Sequence, residues 1–323
     1  MPMQVRIPFV VTFLVITTAH LSAQVAGSEA VVGFGYALPK PRAVAPGQVI
    51  SLFLRGAAAP ATPVVVAAAP LPRELSGYSV TLEQTTAGSP IEVPLLGLSR
   101  TEACYGMLPC VPVAVLTLQI PWELRPNIAG QGRPDNFATL RVTAPGGTTE
   151  IHPLRPVRDA IHVLGTCEES PVLQQVPAPS NPDGVCRSRV FHSDGSQVTA
   201  GHPAQPGETV LLQAVGFGVM EDRPATGSAA DADRPVEEVL TAFEFGPNRA
   251  SRWWEDGHEP VATLLRAGQF GIYEIAVTVP VEIPEGTPAC TASRIQSNVT
   301  VSLRRLDSFS GASFCVRTAD ELQ

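Results

Sequence analysis

Lysine is almost missing from this 323-residue chain. Lys40 is the single one, and 22 Lys+Arg stand against 30 Asp+Glu for a formal net charge of −8. A phosphate-binding face needs clustered basic residues, so nucleic acid is excluded as a partner and anionic membrane surfaces are disfavoured. Helical periodicity is not sustained over any long window, and 32 prolines with 27 glycines leave little room for long helices. Proline removes a backbone donor and clashes with the preceding turn; only 235-PVEEVL-240 fits one helical turn. Beyond the N-terminus no apolar run is long enough to cross a bilayer, since 56-GAAAPATPVVVAAAPLP-72 is broken by prolines. Motifs of nucleophilic catalysis are missing too: there is no Gly-x-Ser-x-Gly, no Ser-x-x-Lys and no cysteine with a partnered histidine. The sequence therefore points away from an enzyme and implies no cofactor and no metal.

What is present begins with an export signal. Arg6 precedes an apolar core from Ile7 to Ile16, small residues follow, and Ala23 offers a cleavage position. A retained anchor needs roughly 20 apolar residues, and polar Thr17, Thr18 and His20 end this run early. Residues 1–23 are expected to be a signal peptide, leaving an extracellular or cell-surface protein, with the periplasm as another destination. The 6 cysteines suit an oxidising compartment. Pairing of sequence neighbours predicts Cys104–Cys110, Cys167–Cys186 and Cys290–Cys315, closing one local loop each. A metal site is the competing reading, and neither Cys-x-x-Cys nor His-x-x-x-His spacing occurs to support it.

The stretch 43-AVAPGQVISLFL-54 is echoed by 203-PAQPGETVLLQAV-215. Each continues to an alternating run that ends at proline, 113-VAVLTLQIPWEL-124 and 271-GIYEIAVTVPVEI-283. Pro46 to Pro121 is 75 positions and Pro206 to Pro280 is 74, so two separate landmarks recur at the same distance. Alternation sends successive side chains to opposite faces of a sheet. Further strands are expected at 78–84, 91–98, 137–147, 149–154, 239–246 and 297–303, and Asp256-Gly257 supplies a hairpin turn within 251–268. Short strands punctuated by Pro/Gly turns bury their apolar faces sheet against sheet. The expected fold is all-β: two tandem Ig-like β-sandwich domains, 24–160 and 161–323, the second carrying a disulfide-tied linker and a C-terminal tail held by Cys290–Cys315.

These residues resemble a known family. VAPGQVISLFLRG, APLPRELSGYSVTLE and LTLQIPWEL in the first half, with AQPGETVLLQAVGFG, LLRAGQFGIYEIAVTVPVEIPEG and SNVTVSL in the second, are similar to the Solibacter-type uncharacterised C-terminal domain of exported bacterial proteins. The similarity runs from about Val31 to Leu303, and the Pro-Gly-x-x-Val-x-Leu openings look like IPT/TIG-type Ig-like folds. It implies export and tandem sandwiches, and no catalytic residues.

Candidate binding residues are few. Trp253, Trp254, Glu255, Asp256 and His258 could form a sugar-stacking platform with hydrogen-bonding carboxylates, or a weak cation site. Adjacent strand residues face opposite ways, so the plainer reading buries one tryptophan and leaves the charges on a solvated turn. The acidic loop 228-SAADADRPVEE-238 carries Asp231, Asp233, Glu237 and Glu238. It lacks EF-hand spacing and is expected to be a solvated charged loop. Tyr105, Met107 and Leu108 could form an apolar tip on the Cys104–Cys110 loop, or fold back on their own sheet. His152, His162, His192, His202 and His258 show no ligand spacing. The functional expectation is a non-enzymatic structural or binding module whose partner is a cell-envelope protein or a polysaccharide. The alternative is a carbohydrate-binding accessory protein that uses Trp253 or Trp254.

Overall fold

The computed structural model describes residues 29–32, 43–55, 64–85, 88–103, 111–127, 137–166, 187–218, 220–245, 257–285, 287, 290, 297–303 and 308–318. Among the described residues there is no helix; 235-PVEEVL-240 splits between two strands. The first half contains β1 (Glu29–Val32), β2 (Ala43–Val44), β3 (Val49–Arg55), β4 (Val64–Val66), β5 (Glu74–Leu75) and β6 (Tyr78–Gln84). It continues with β7 (Ile91–Glu92), β8 (Leu95–Ala103), β9 (Val111–Gln119), β10 (Ala138–Thr143) and β11 (Thr149–Pro156). The second half contains β12 (His162–Val163), β13 (Val190–His192), β14 (Thr209–Val215), β15 (Arg234–Pro235) and β16 (Val239–Phe245). It ends with β17 (Ala262–Leu265), β18 (Ile272–Thr278), β19 (Ser297–Leu303) and β20 (Phe309–Phe314).

Two sheets face each other in each half. In the first, β1-β3-β9-β8-β4 opposes β2-β11-β10-β6-β5, with β7 on β6. In the second, β12-β14-β18-β17-β15, with β13 on β14, opposes β16-β19-β20. Alternation decides what fills the space between. Ile50, Leu52 and Leu54 meet Tyr78, Val80 and Leu82 in one cluster; Val210, Leu212 and Ala214 meet Val239, Val299 and Val301 in another. No strand pair among the described residues joins one half to the other.

The repeated sentence is written into the ladders. Ile50 pairs with Leu118 and Val210 with Val277, displaced by 160 and 159 positions. Val80–Val142 recurs as Thr241–Val301, and Leu140–His152 as Val299–Ala312. Even the parallel contact Val44–Pro156 returns as Ala204–Val316, both 160 positions on. A side-chain turn repeats as well. Gln48 Oε1 accepts the Ala45 amide at 2.9 Å, and Glu208 Oε2 accepts the Gln205 amide at 2.8 Å.

Two expectations need correction. The run 91–98 is two strands, not one: it breaks at Val93-Pro94, pairing β6 before the break and β9 after it. Proline has no N–H to give a central ladder, so the chain changes sheets there. The tail also does more than hang from a disulfide. Residues 309–314 form the edge strand β20 on β19. The Asp159 carboxylate, buried between the halves' connection and this strand, accepts the Ser308 amide at 2.7 Å and its hydroxyl at 2.5 Å.

Candidate functional site

The junction between the halves shows what one end of a sandwich unit can bind. The turn Pro46-Gly47 enters β3 beside the end of β9, and Gly47 has φ +70, in the left-handed region. A Cβ there would fall inside the Trp122 ring, so glycine lets the indole lie flat on the backbone. Trp122 is 2% exposed and joins the apolar cluster of the second half. Beside it Val49, Leu71 and Leu96 pack with Leu164, Val215, Phe270 and Ile272, an apolar patch drawn from both halves.

A polar rim completes the weld. Arg223 Nη1 donates to the Trp122 carbonyl at 2.7 Å, and the Trp122 amide donates to Thr226 Oγ1 at 2.9 Å. The Thr226 hydroxyl donates to Glu123 Oε2 at 2.6 Å, and the Gly227 amide donates to Gln119 Oε1 at 2.9 Å. The Leu71 amide donates to the Gly227 carbonyl at 2.8 Å. Backbone groups at an interface that are paired this way resist hinging, because each would otherwise need water.

Among the described residues, the same end of the second unit leaves two aliphatic side chains exposed. The ladder registers place Val281 where Trp122 stands and Val261 where Leu96 stands. Leu96 is 0% exposed, whereas Val281 is 76% and Val261 67% exposed, the two highest values of any large hydrophobic among the described residues. Gly207 (φ +80) repeats the Gly47 turn, but only Val281 Cγ2, at 3.6 Å from an added Cβ, lies over it. This distal pole has an acidic edge. Glu208, Glu259 and Glu282 line it, and residues 205–209, 257–261 and 278–282 contain no lysine or arginine. Glu208 Oε1 lies 2.5 Å from His192 Nδ1, and the His192 ring stacks on His202 with centroids 4.0 Å apart. His192 Nε2 lies 3.2 Å from the His202 carbonyl, so both nitrogens of that ring are in use.

Of the residues singled out from sequence, His258 falls on this pole. It is exposed, and it pairs with Thr241 through two 2.8 Å backbone hydrogen bonds. Regular pairing resumes only at β17, so the described part of the expected hairpin is this single bridge. Trp253, Trp254, Glu255 and Asp256 lie outside the described residues, as do Tyr105, Met107, Leu108, Cys104, Cys110, Cys167 and Cys186. Cys290–Cys315 is bonded, with Cα atoms 5.5 Å apart. Two carboxylates of the acidic loop are paired with arginine: Arg234 binds Asp231, and Asp222 outside the loop, while Arg266 Nη1 binds Asp233 at 2.6 Å; Glu237 and Glu238 are exposed. Its hydrogen bond from Arg234 holds the Asp231 carboxyl below its ordinary range. Asp231 and Asp233 are thus engaged by arginine, and no group of three or more His, Cys, Asp or Glu able to hold a metal occurs among the described residues. Among them, too, no helix is long and apolar enough to cross a membrane.

Sequence reading missed the roles of Trp122 and Val281. The signal was available in the alignment of IPWEL with VPVEI, where an aromatic in one copy faces an aliphatic in the other. Nothing in one chain, though, says which of two equivalent ends is covered.

No protein-family model matches the chain, and no curated protein matches it in sequence. Among solved structures it is similar to the adhesin InvE of Yersinia pseudotuberculosis, with 14% identity and a TM-score of 0.20 over 85% of this chain. The chain spans 56% of that protein's length. Overlap at that TM-score carries no weight for fold or function.

Proposed function

We propose that the chain is an exported, non-enzymatic structural or binding module of the cell surface or extracellular space, built as two Ig-like sandwiches held as one stiff body. The observation that carries this reading is the junction. Trp122 seated on Gly47, a shared apolar patch and five polar contacts fix one half against the other, as a spacer or presenting scaffold needs. Interfaces within a chain otherwise permit relative motion by default. The Cys290–Cys315 bond supports an oxidising destination. The signal peptide of residues 1–23 and membership of the Solibacter-type family belong to the same proposal.

The test is expression of the full chain in a bacterium with a general secretion pathway. Intact mass after fractionation should place the mature N-terminus at Gln24, outside the cytoplasm, with Cys290 and Cys315 oxidised. A precursor kept in the cytoplasm with free thiols overturns the proposal. The carbohydrate reading draws support from one feature, the exposed His258 and Glu259 close after the tryptophan pair in sequence, on the open pole. A glycan array with Trp253→Ala and Trp254→Ala controls decides it: binding lost in either variant favours sugar, and no binding removes the reading.

A further inference from the structure

We propose that His192, His202 and Glu208 form a proton latch, in which a doubly protonated His192 ring fastens the 199–208 segment to β13 and a rise in pH releases it. A latch of this kind is independent of the structural-module reading.

His192 Nε2 lies 3.2 Å from the His202 carbonyl, which also accepts the Thr199 amide at 3.0 Å. A carbonyl has no hydrogen to give, so Nε2 carries one. Nδ1 lies 2.5 Å from Glu208 Oε1, and Glu208 Oε2 accepts the Gln205 amide at 2.8 Å. A carboxylate is likewise only an acceptor, so Nδ1 needs a hydrogen as well. The pair therefore holds one proton more than a neutral imidazole and a carboxylate supply. Imidazole is the stronger base of the two, which puts that proton on the ring. When it leaves to solvent, one ring nitrogen turns a lone pair toward an oxygen, and a hydrogen bond becomes a repulsion. His192 is 6% exposed and the His202 ring covers one of its faces, so little water can replace the lost bond.

The first unit closes the equivalent turn with Gln48, which accepts the Ala45 amide without any charge. The turn by itself needs no carboxylate, and the second oxygen of Glu208 serves His192. The latched segment also carries Ala204. Its amide donates to the Cys315 carbonyl at 3.0 Å, and its carbonyl accepts the Arg317 amide at 2.9 Å. Release of the segment therefore loosens residues 315–318, which the Cys290–Cys315 bond still tethers. In the segments around the ring, residues 193–208, β14 and 315–318, the ionisable groups are Asp194, His202, Glu208 and Arg317. The Asp194 carboxyl is held low first by the Ser196 hydroxyl and amide, and further by charge on His192 and His202. Asp194 and Glu208 attract a charged His192 ring, whereas Arg317 and a charged His202 oppose it.

Nitrogen-15 spectra of the histidine rings and amide hydrogen exchange test the latch on the full mature chain. They are recorded from about pH 5 to about pH 9, a span that brackets histidine titration. His192 is expected to carry hydrogen on both nitrogens at the acid end and on one at the basic end. Exchange at the Gln205 amide, corrected for its intrinsic rise with pH, should quicken about tenfold across that change, as one charge-assisted hydrogen bond is lost. A His192 ring with one hydrogen throughout, or with two throughout, refutes the latch, as does a Gln205 amide indifferent to pH. Glu208→Gln installs the first unit's residue. Its Nε2 can donate to an unprotonated Nδ1 while its Oε1 keeps the Gln205 amide, so protection should now be greater at high pH. A Glu208→Gln chain that responds as the unaltered one does overturns the proposal. His202→Phe keeps the backbone carbonyl and a stacking ring but removes the second titrating group. The response should survive it, and a lost response would assign the effect to His202 and overturn the latch. The ring spectra of the unaltered chain decide the proton count on their own if Glu208→Gln fails to fold.

Discussion

Replacing Trp122 by alanine perturbs the junction and the apolar cluster of the second half that Trp122 joins, and leaves the core of the first half intact. Truncating a buried tryptophan costs about 3–5 kcal/mol, and Trp122 is almost wholly buried. One circumstance lowers that figure. Among the described residues the indole Nε1 meets no hydrogen-bond acceptor, and an unmet buried donor costs about 1–3 kcal/mol, relieved when the ring is removed. The backbone amide and carbonyl of residue 122 keep their bonds to Thr226 and Arg223, so the loss is one of packing alone. Taking the middle of each range, a net destabilisation of about 2 kcal/mol follows. Its character matters as much as its size. With the anchor gone the halves should melt separately, so urea unfolding followed by circular dichroism should change from one transition to two. Trp122→Phe refills most of the space and carries no N–H, and should cost less than about 1.5 kcal/mol. A Trp122→Ala protein that unfolds in one step with a loss under about 1 kcal/mol would refute the weld, taking a typical single substitution as the yardstick. So would a Trp122→Phe protein as damaged as the alanine variant.

The two equivalent glycines give a matched pair: Gly47→Ala meets both the Trp122 ring and a left-handed backbone, whereas Gly207→Ala meets only the backbone. The second should cost about 1–2 kcal/mol and the first clearly more, compared by chemical denaturation. Reducing Cys290–Cys315, which closes a 25-residue separation, should lower stability by about 3 kcal/mol; non-reducing peptide mapping should recover that pair uncrossed with any other cysteine. On the acid side, the Ser196 hydroxyl and amide hold the Asp194 carboxyl low, and Arg234 does the same for Asp231. A lowered folded value stabilises above the ordinary carboxylate range near ~4, and that stability is lost as pH falls through the folded values. Melting temperature should therefore drop at the acid end, and less steeply in an Asp194→Asn, Asp231→Asn double variant. Burial pushes the Glu244 carboxyl up, so Glu244→Gln should gain stability at neutral pH relative to acid.

Much of the architecture could be read from local pattern. The alternation in IYEIAVTV assigns a face to each residue, and its apolar face is the one turned to the core; in VAVLTLQI the alternation picks out the core face, Ala114, Leu116, Leu118 and Ile120, but the opposite face, Val113, Val115, Thr117 and Gln119, is buried as well. Equal spacing of the Pro-Gly turns and closing prolines announced the repeat, since a ladder register carries spacing directly into pairing. Proline within a strand was the place where pattern misled. Val93-Pro94 looks continuous in IEVPLLGL, yet the missing donor moves the chain to the other sheet.

Local pattern suffices for the all-β class, the twofold repetition and the core-facing residues of the regular strands, all consequences of short-range geometry. Long-range packing settles that Trp122 faces a neighbour while Val281 faces solvent, and that Asp231 and Asp233 of the acidic loop are held by Arg234 and Arg266. Those outcomes depend on pairs far apart in the chain, such as Trp122 with Thr226 and Arg266 with Asp233. Such pairs leave no periodic trace in either partner's local sequence.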